Sequence, residues 1–213
     1  MTPTAPSPEH VIGAGRGMLV AVLSLAFMAG TGWLVAEIAR QPAPLETEKP
    51  VLDTSSLLAL IDYQGAPLEP AALDKPATVV FFGYTYCPDI CPLELATMAA
   101  ALDRLGPAAG EVGAFFVSVD PERDTPEQLR GYVELFHPLI TGLTGEPEAI
   151  AAAAGAFRAY YERVEHEGGY HTVDHFARTL VLDRDGRLEA AIPFDSPPDV
   201  LLGALRPLLE TSP

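Results

Sequence analysis

Residues 17–36 read GMLVAVLSLAFMAGTGWLVA, twenty positions without a charge. At about 1.5 Å per helical residue, such a run covers a hydrocarbon layer of about 30 Å. Whatever folds as a globular unit must therefore lie beyond it. The run reads as a membrane span and not a cleaved signal peptide, because Glu37, Ile38 and Ala39 offer no small-x-small cleavage site. A buried core helix is disfavoured by Gly30 and Gly32 and by the lack of an amphipathic stripe, and Trp33 suits an interfacial position near one end. Arg16 precedes the span, whereas Glu37 and Arg40 cancel after it. The positive-inside bias makes residues 1–16 a cytoplasmic tail, residues 17–36 the anchor of a bacterial inner membrane, and the remainder periplasmic.

Residues 37–50 include the proline-rich stretch QPAPLETEKP and are expected to form a linker. Residues 51–213 are left as one domain, long enough to bury a full core. The chain carries a net charge of −16. That excludes nucleic acid as a partner, since phosphate recognition begins from a basic footprint.

Within the domain, strand and helix patterns alternate. Leu57–Tyr63 reads as a short strand, ATVVFF at residues 77–82 as a fully buried one, and VGAFFVSV at 112–119 as a second buried one. Helices are predicted over 92–105, 125–136, 147–160 and 198–209, all four with Pro in the first turn. Residues 179–183 and 188–193 form a hairpin across Asp185-Gly186. The order predicts an α/β layered domain with a central sheet flanked by helices.

The two cysteines of the chain, Cys87 and Cys91, fall between the first long strand and its helix, in FFGYTYCPDICPLELATM. Such strand–helix junctions are where α/β folds present functional groups. A helix N-terminus favours the thiolate, which predicts Cys91 as a ready nucleophile or metal ligand. Four-residue spacing lets both sulfurs face one point. A structural disulfide between them would close too short a loop to restrain the unfolded chain much, and Pro88, Asp89 and Pro92 argue against two core cysteines. The pair is then a redox couple or half of a metal site, and a third group decides. Two thiolates and one imidazole suit copper, as Cu(I) or, with a further ligand, Cu(II); zinc requires a fourth ligand. Among the five histidines, spacing hardly separates His175 from His171, and His166 and His171 are expected to be exposed around Gly168-Gly169. Met98 belongs on the apolar helix face, and Asp89 supports the turn through its backbone bonds.

Three ordered motifs supply what spacing does not: GYTYCPDICPLELATM, SVDPERDTPEQL at 118–129 and YHTVDHFARTLVLDRDG at 170–186. Together they resemble the Sco/SenC family of copper-binding cytochrome oxidase assembly proteins, over residues 55–195. The resemblance implies a thioredoxin-like domain with a mixed central sheet. It implies copper as the bound metal, held by Cys87, Cys91 and His175, with Asp120 as a weak ligand, an outer-shell partner or only a turn aspartate before Pro121. Tyr86 and Phe176 depart from the residues common at those places in the family, and neither is an expected ligand.

The resemblance further implies a metallochaperone, not an enzyme, that passes copper to the dinuclear copper centre of a cytochrome c oxidase subunit. Another periplasmic copper chaperone is a candidate second partner. The alternative is a thiol-disulfide oxidoreductase that reduces the acceptor's cysteines, although the spacing is CxxxC and leaves His175 without a duty. A peroxiredoxin-like peroxidase ranks last, because no arginine is placed by spacing to activate a lone cysteine.

Overall fold

The computed structural model describes residues 49–210. The expected tail and anchor, and the linker up to residue 48, lie outside the described residues. Among those described, no helix is long and apolar enough to cross a membrane.

Among the described residues, eight strands and four α-helices follow in the order β1 (Ile61–Asp62), β2 (Ala77–Gly83), α1 (Ile90–Leu105), β3 (Val112–Ser118), α2 (Pro126–Val133), β4 (Ile140–Thr144), α3 (Pro147–Ala156), β5 (Tyr161–Glu165), β6 (His171–His175), β7 (Arg178–Asp183), β8 (Leu188–Pro193) and α4 (Pro198–Glu210). Six strands form one sheet in the order β1-β4-β3-β2-β7-β8, with β2, β3 and β4 parallel and the remaining pairings antiparallel. Every residue of β2 and β3 is buried, as their uninterrupted apolar runs require of strands covered on both faces. On one face Val79 and Ala114 meet Met98 and Leu102 of α1 and Leu201 and Leu205 of α4. On the other, Phe82 packs on Phe157 at the end of α3, their rings 5.6 Å apart. This is a thioredoxin-like α/β domain with a mixed central sheet, as expected.

Three departures have local causes. The strand expected at Leu57–Tyr63 is a 3-10 helix, Thr54–Ala59, followed by the two residues of β1. Asp53 caps it by accepting from the Ser55 N–H at 3.1 Å, a local bond that competes with strand pairing. α2 and α3 stop earlier than their apolar periodicity suggested. At the end of α3, Phe157 turns into the core and Arg158 takes a φ of 54°. β4, β5 and β6 escaped the sequence pattern. β5 and β6 pair only with each other, and in β6 only Val173 is buried, so their polar residues gave no strand signal.

Candidate metal centre

The chain's register brings the site together. β2 ends at Gly83, and β7 runs antiparallel beside it with Val80 opposite Leu180. The start of β7 therefore lies at the exit of β2, and His175, three residues before β7, hangs over the turn that holds the cysteines. Cys87 sits in that turn, its N–H donating to the Tyr84 carbonyl at 3.2 Å. Cys91 lies in the first turn of α1. One sulfur from each cysteine and one ring nitrogen of His175 lie within 4.8 Å of one another. Among the described residues this is the group of His, Cys and carboxylate donors able to hold a metal ion.

Cys91 is wholly buried, Cys87 is 9% exposed, and both are free. Gly83 makes the close approach possible: a Cβ there would stand 2.6 Å from Cys91 Sγ and 2.8 Å from the Phe116 ring. His175 Nε2 lies 3.5 Å from Cys91 Sγ. Its ring is gripped by edge-on contacts with Phe81 at 5.9 Å and Tyr84 at 5.8 Å, while its buried Nδ1 makes no hydrogen bond. Packing fixes this imidazole where metal-bound histidines usually rely on an outer hydrogen bond.

The thiols divide their roles opposite to the expectation. The Cys91 thiol donates to Cys87, and this bond leads the causes that hold the Cys87 thiolate well below the ordinary thiol range. The His175 ring and the N–H groups of Cys91 and Asp89 act in the same sense against desolvation. Cys91 is pushed far up, first as the donor in that bond and then by burial. The helix N-terminus does stabilise a thiolate, as argued from sequence, but its Cys91 N–H points 3.5 Å from Cys87 Sγ, so the benefit goes to the other cysteine.

Asp120 is 4% exposed and both of its oxygens are engaged, Oδ2 by Arg123 Nε at 2.5 Å and Oδ1 by His171 Nε2 at 3.2 Å. It also shapes the turn, its carbonyl accepting from the Arg123 and Asp124 N–H groups. His171 is therefore not an exposed loop residue: its side chain is 9% exposed. His166 is half-buried, stacked on Tyr170 and 2.7 Å from the Thr172 hydroxyl. The glycine pair that suggested exposure makes the hairpin turn between β5 and β6; His166 packs back on that hairpin, and His171 turns to Asp120. Arg123, which spacing did not single out, stands over the Tyr86 and Tyr84 rings at 4.9 and 5.7 Å. Its only sequence signal was its place in DPERDTP. Buried Asp124 ties the same turn to the cysteine loop, accepting from the Thr85 N–H and hydroxyl at 2.9 and 2.6 Å and from the Ser118 hydroxyl at 2.6 Å.

A groove of about 420 Å³ lies against the cysteine loop, lined by Thr85, Tyr86, Gln128, Gly131, Tyr132 and Leu135. Two soft sulfur donors and one imidazole, two of the three fully or nearly buried, match the preferences of copper better than those of hard cations.

A thioredoxin-like domain with a buried Cys, Cys, His donor set defines a class of metal-handling proteins. Within that class, the model of the SCO1/SenC family matches residues 47–210, and the chain belongs to that family. It is 42% identical over 125 residues to protein SenC of Rhodobacter capsulatus, covering 58% of this chain and 56% of the relative. It is 50% identical over 99 residues to the mitochondrial SCO1 homolog 1 of Arabidopsis thaliana, covering 46% of this chain and 30% of that protein. These matches thus span about half or less of the relatives' length. Among solved structures, copper-bound ScoI of Bradyrhizobium japonicum aligns with a TM-score of 0.65 at 34% identity, covering 76% of this chain and 99% of that one. Copper-bound ScoI of Arabidopsis thaliana aligns with a TM-score of 0.65 at 36% identity, covering 72% and 96%.

Proposed function

We propose that this chain is a copper metallochaperone, anchored in a bacterial inner membrane with its domain in the periplasm, that carries one copper ion on Cys87, Cys91 and His175 to the copper centre of a cytochrome c oxidase subunit. The observation that carries the reading is the convergence of these three side chains within 4.8 Å, in a member of a family whose relatives have been solved with copper bound. Copper is the cargo, and two thiolates with one imidazole supply the soft donors that retain it. Cys87 and His175 are the outer donors and Cys91 the innermost, so an acceptor's incoming ligand would displace the outer pair first. Asp120 serves as an outer residue. A membrane tether would keep the site near a membrane-bound acceptor at high effective concentration.

The test is copper stoichiometry and absorption of the full chain beside Cys87→Ser, Cys91→Ser and His175→Ala. One copper per chain, with a thiolate-to-Cu(II) band lost or altered in each variant, is the expected result. A wild type that holds no copper overturns the proposal. One observation favours a second reading, thiol-disulfide exchange: a partly exposed Cys87 thiolate sits against the Cys91 thiol that would close the disulfide. Under that reading His175→Ala retains full exchange activity, whereas under the chaperone reading its loss of copper abolishes function.

A further inference from the structure

The strand that brings His175 to the cysteines belongs to a two-stranded hairpin that pairs with no strand of the six-stranded sheet. Such a hairpin is marginal on its own. Val173 is its buried residue on β6, and the Arg163–Glu122 pair at its surface is exposed and correspondingly weak. A set of part-buried polar contacts at the opposite end of β6 also ties it to the domain. Arg123 Nε and Nη2 both lie 2.5 Å from Asp120 Oδ2, Arg123 Nη1 donates to the His171 carbonyl at 3.0 Å, and His171 Nε2 meets Asp120 Oδ1. The guanidinium also stacks over Tyr86, next in sequence to Cys87, and over Tyr84, whose ring is edge-on to His175. One side chain thus touches the cysteine loop on one side and the histidine strand on the other.

We propose that Arg123 is the positioning residue of the site, fixing the β5–β6 hairpin through Asp120 and His171 and the cysteine loop through Tyr84 and Tyr86, so that His175 and the two cysteines stay in register. The inference rests on the copper reading for its functional meaning, but its structural content stands without metal. A planar, five-donor guanidinium is needed: a lysine can pair with Asp120 but cannot at the same time reach the His171 carbonyl and face both tyrosine rings.

The experiment compares the full-length wild type with Arg123→Met, Arg123→Lys and, as control, Arg130→Met, whose arginine makes only an exposed pair with Glu134. Without metal, amide hydrogen exchange over residues 171–176 is expected to be about tenfold faster in both Arg123 variants, a factor that one lost bond to a charged group suffices to produce. With copper, affinity is expected to fall about tenfold to a hundredfold. The Cu(II) form should lose nitrogen coupling from His175 while keeping its thiolate charge-transfer band, a signature that general destabilisation would not produce. Arg130→Met should match wild type in each. Wild-type exchange and affinity in Arg123→Met overturn the proposal. If that variant does not fold, Arg123→Lys, which keeps the charge, decides by the same readouts. Should the wild type take up no copper, the functional reading fails and the metal-free exchange still decides the clamp.

Discussion

Gly83→Ala is the substitution that most directly tests how the site is built. A Cβ at this position would meet Cys91 Sγ at 2.6 Å, the Phe116 ring at 2.8 Å and the Phe81 ring at 3.2 Å, against an ordinary contact of 3.4–4 Å. Relief requires the sulfur or the strand to move by about 1 Å, and neither has room. Gly83 is the last residue of β2, hydrogen-bonded through its carbonyl to the Val119 N–H at 2.9 Å. Cys91 and both phenylalanines are among the most buried side chains of the domain. Overpacking of this kind costs about 1–3 kcal/mol, which for a domain of this size lowers Tm by about 2–12 °C. The displaced sulfur is a proposed ligand, so copper affinity should fall at least about tenfold, as when a supporting partner is removed. Thermal unfolding and competitive copper titration of the full chain measure both. Gly155→Ala, where a Cβ meets nothing within 4 Å in the last turn of α3, should be neutral or gain up to about 1 kcal/mol. A Gly83→Ala protein that melts with the wild type and binds copper equally would refute the close-packing account of the site.

Four further outcomes are expected. Iodoacetamide at pH 6 should label Cys87 and spare Cys91, because Cys87 is the stabilised thiolate and Cys91 the buried thiol; peptide mass mapping reads this directly, and preferential Cys91 labelling contradicts it. Copper loading in weak buffer at neutral pH should release close to one proton, from Cys91, and not two; a pH electrode suffices. Glu94, 2% exposed and bonded to the Thr179 hydroxyl, has its carboxyl pushed above the ordinary range by burial. It therefore binds a proton more tightly folded than unfolded, so its stabilising contribution is complete below the unfolded value of about 4.3 and is lost as pH rises through the raised value. Glu94→Gln should accordingly flatten the fall in stability above that range in urea titrations across pH. Asp124→Ala strands the Thr85 N–H and the Thr85 and Ser118 hydroxyls, costing about 3 kcal/mol, and a loss below about 1 kcal/mol in urea unfolding would show that these donors find other partners.

The parts of the site made within one segment were legible in the sequence. A β-branched and aromatic run, a glycine, two cysteines each followed by a proline and an apolar helix face fix β2, the turn and α1 by local pattern alone. The histidine was not legible in that way. His171 and His175 both occupy β6, and only the resemblance distinguished them before the structure placed one against Asp120 and the other against the sulfurs. Arg123 was missed because its partners lie 3, 48 and 37 residues away, at Asp120, His171 and Tyr86, and no spacing rule joins three segments through one guanidinium. The division of roles between the thiols was inverted for a related reason. A helix N-terminus can be read from sequence, but which sulfur its N–H groups face, and which is buried, depends on the tertiary packing.

The arrangement separates what holds the donors in place from what bonds to them. His175 is oriented by two aromatic edges and a distant clamp, with its Nδ1 free of any acceptor. An outer carboxylate or carbonyl on that nitrogen would make the imidazole a stronger donor and bind copper more firmly. Without one, the geometry of the ring is specified by packing alone. Cys91, at the opposite extreme, is buried, packed against Gly83 and inaccessible. A carrier must give up its cargo by exchanging one ligand at a time, which needs a firm inner donor and yielding outer ones. In the proposed carrier, the depth of Cys91, the partial exposure of Cys87 and the absence of an outer hydrogen bond on His175 Nδ1 form that gradient, running from the core toward the groove beside Tyr86.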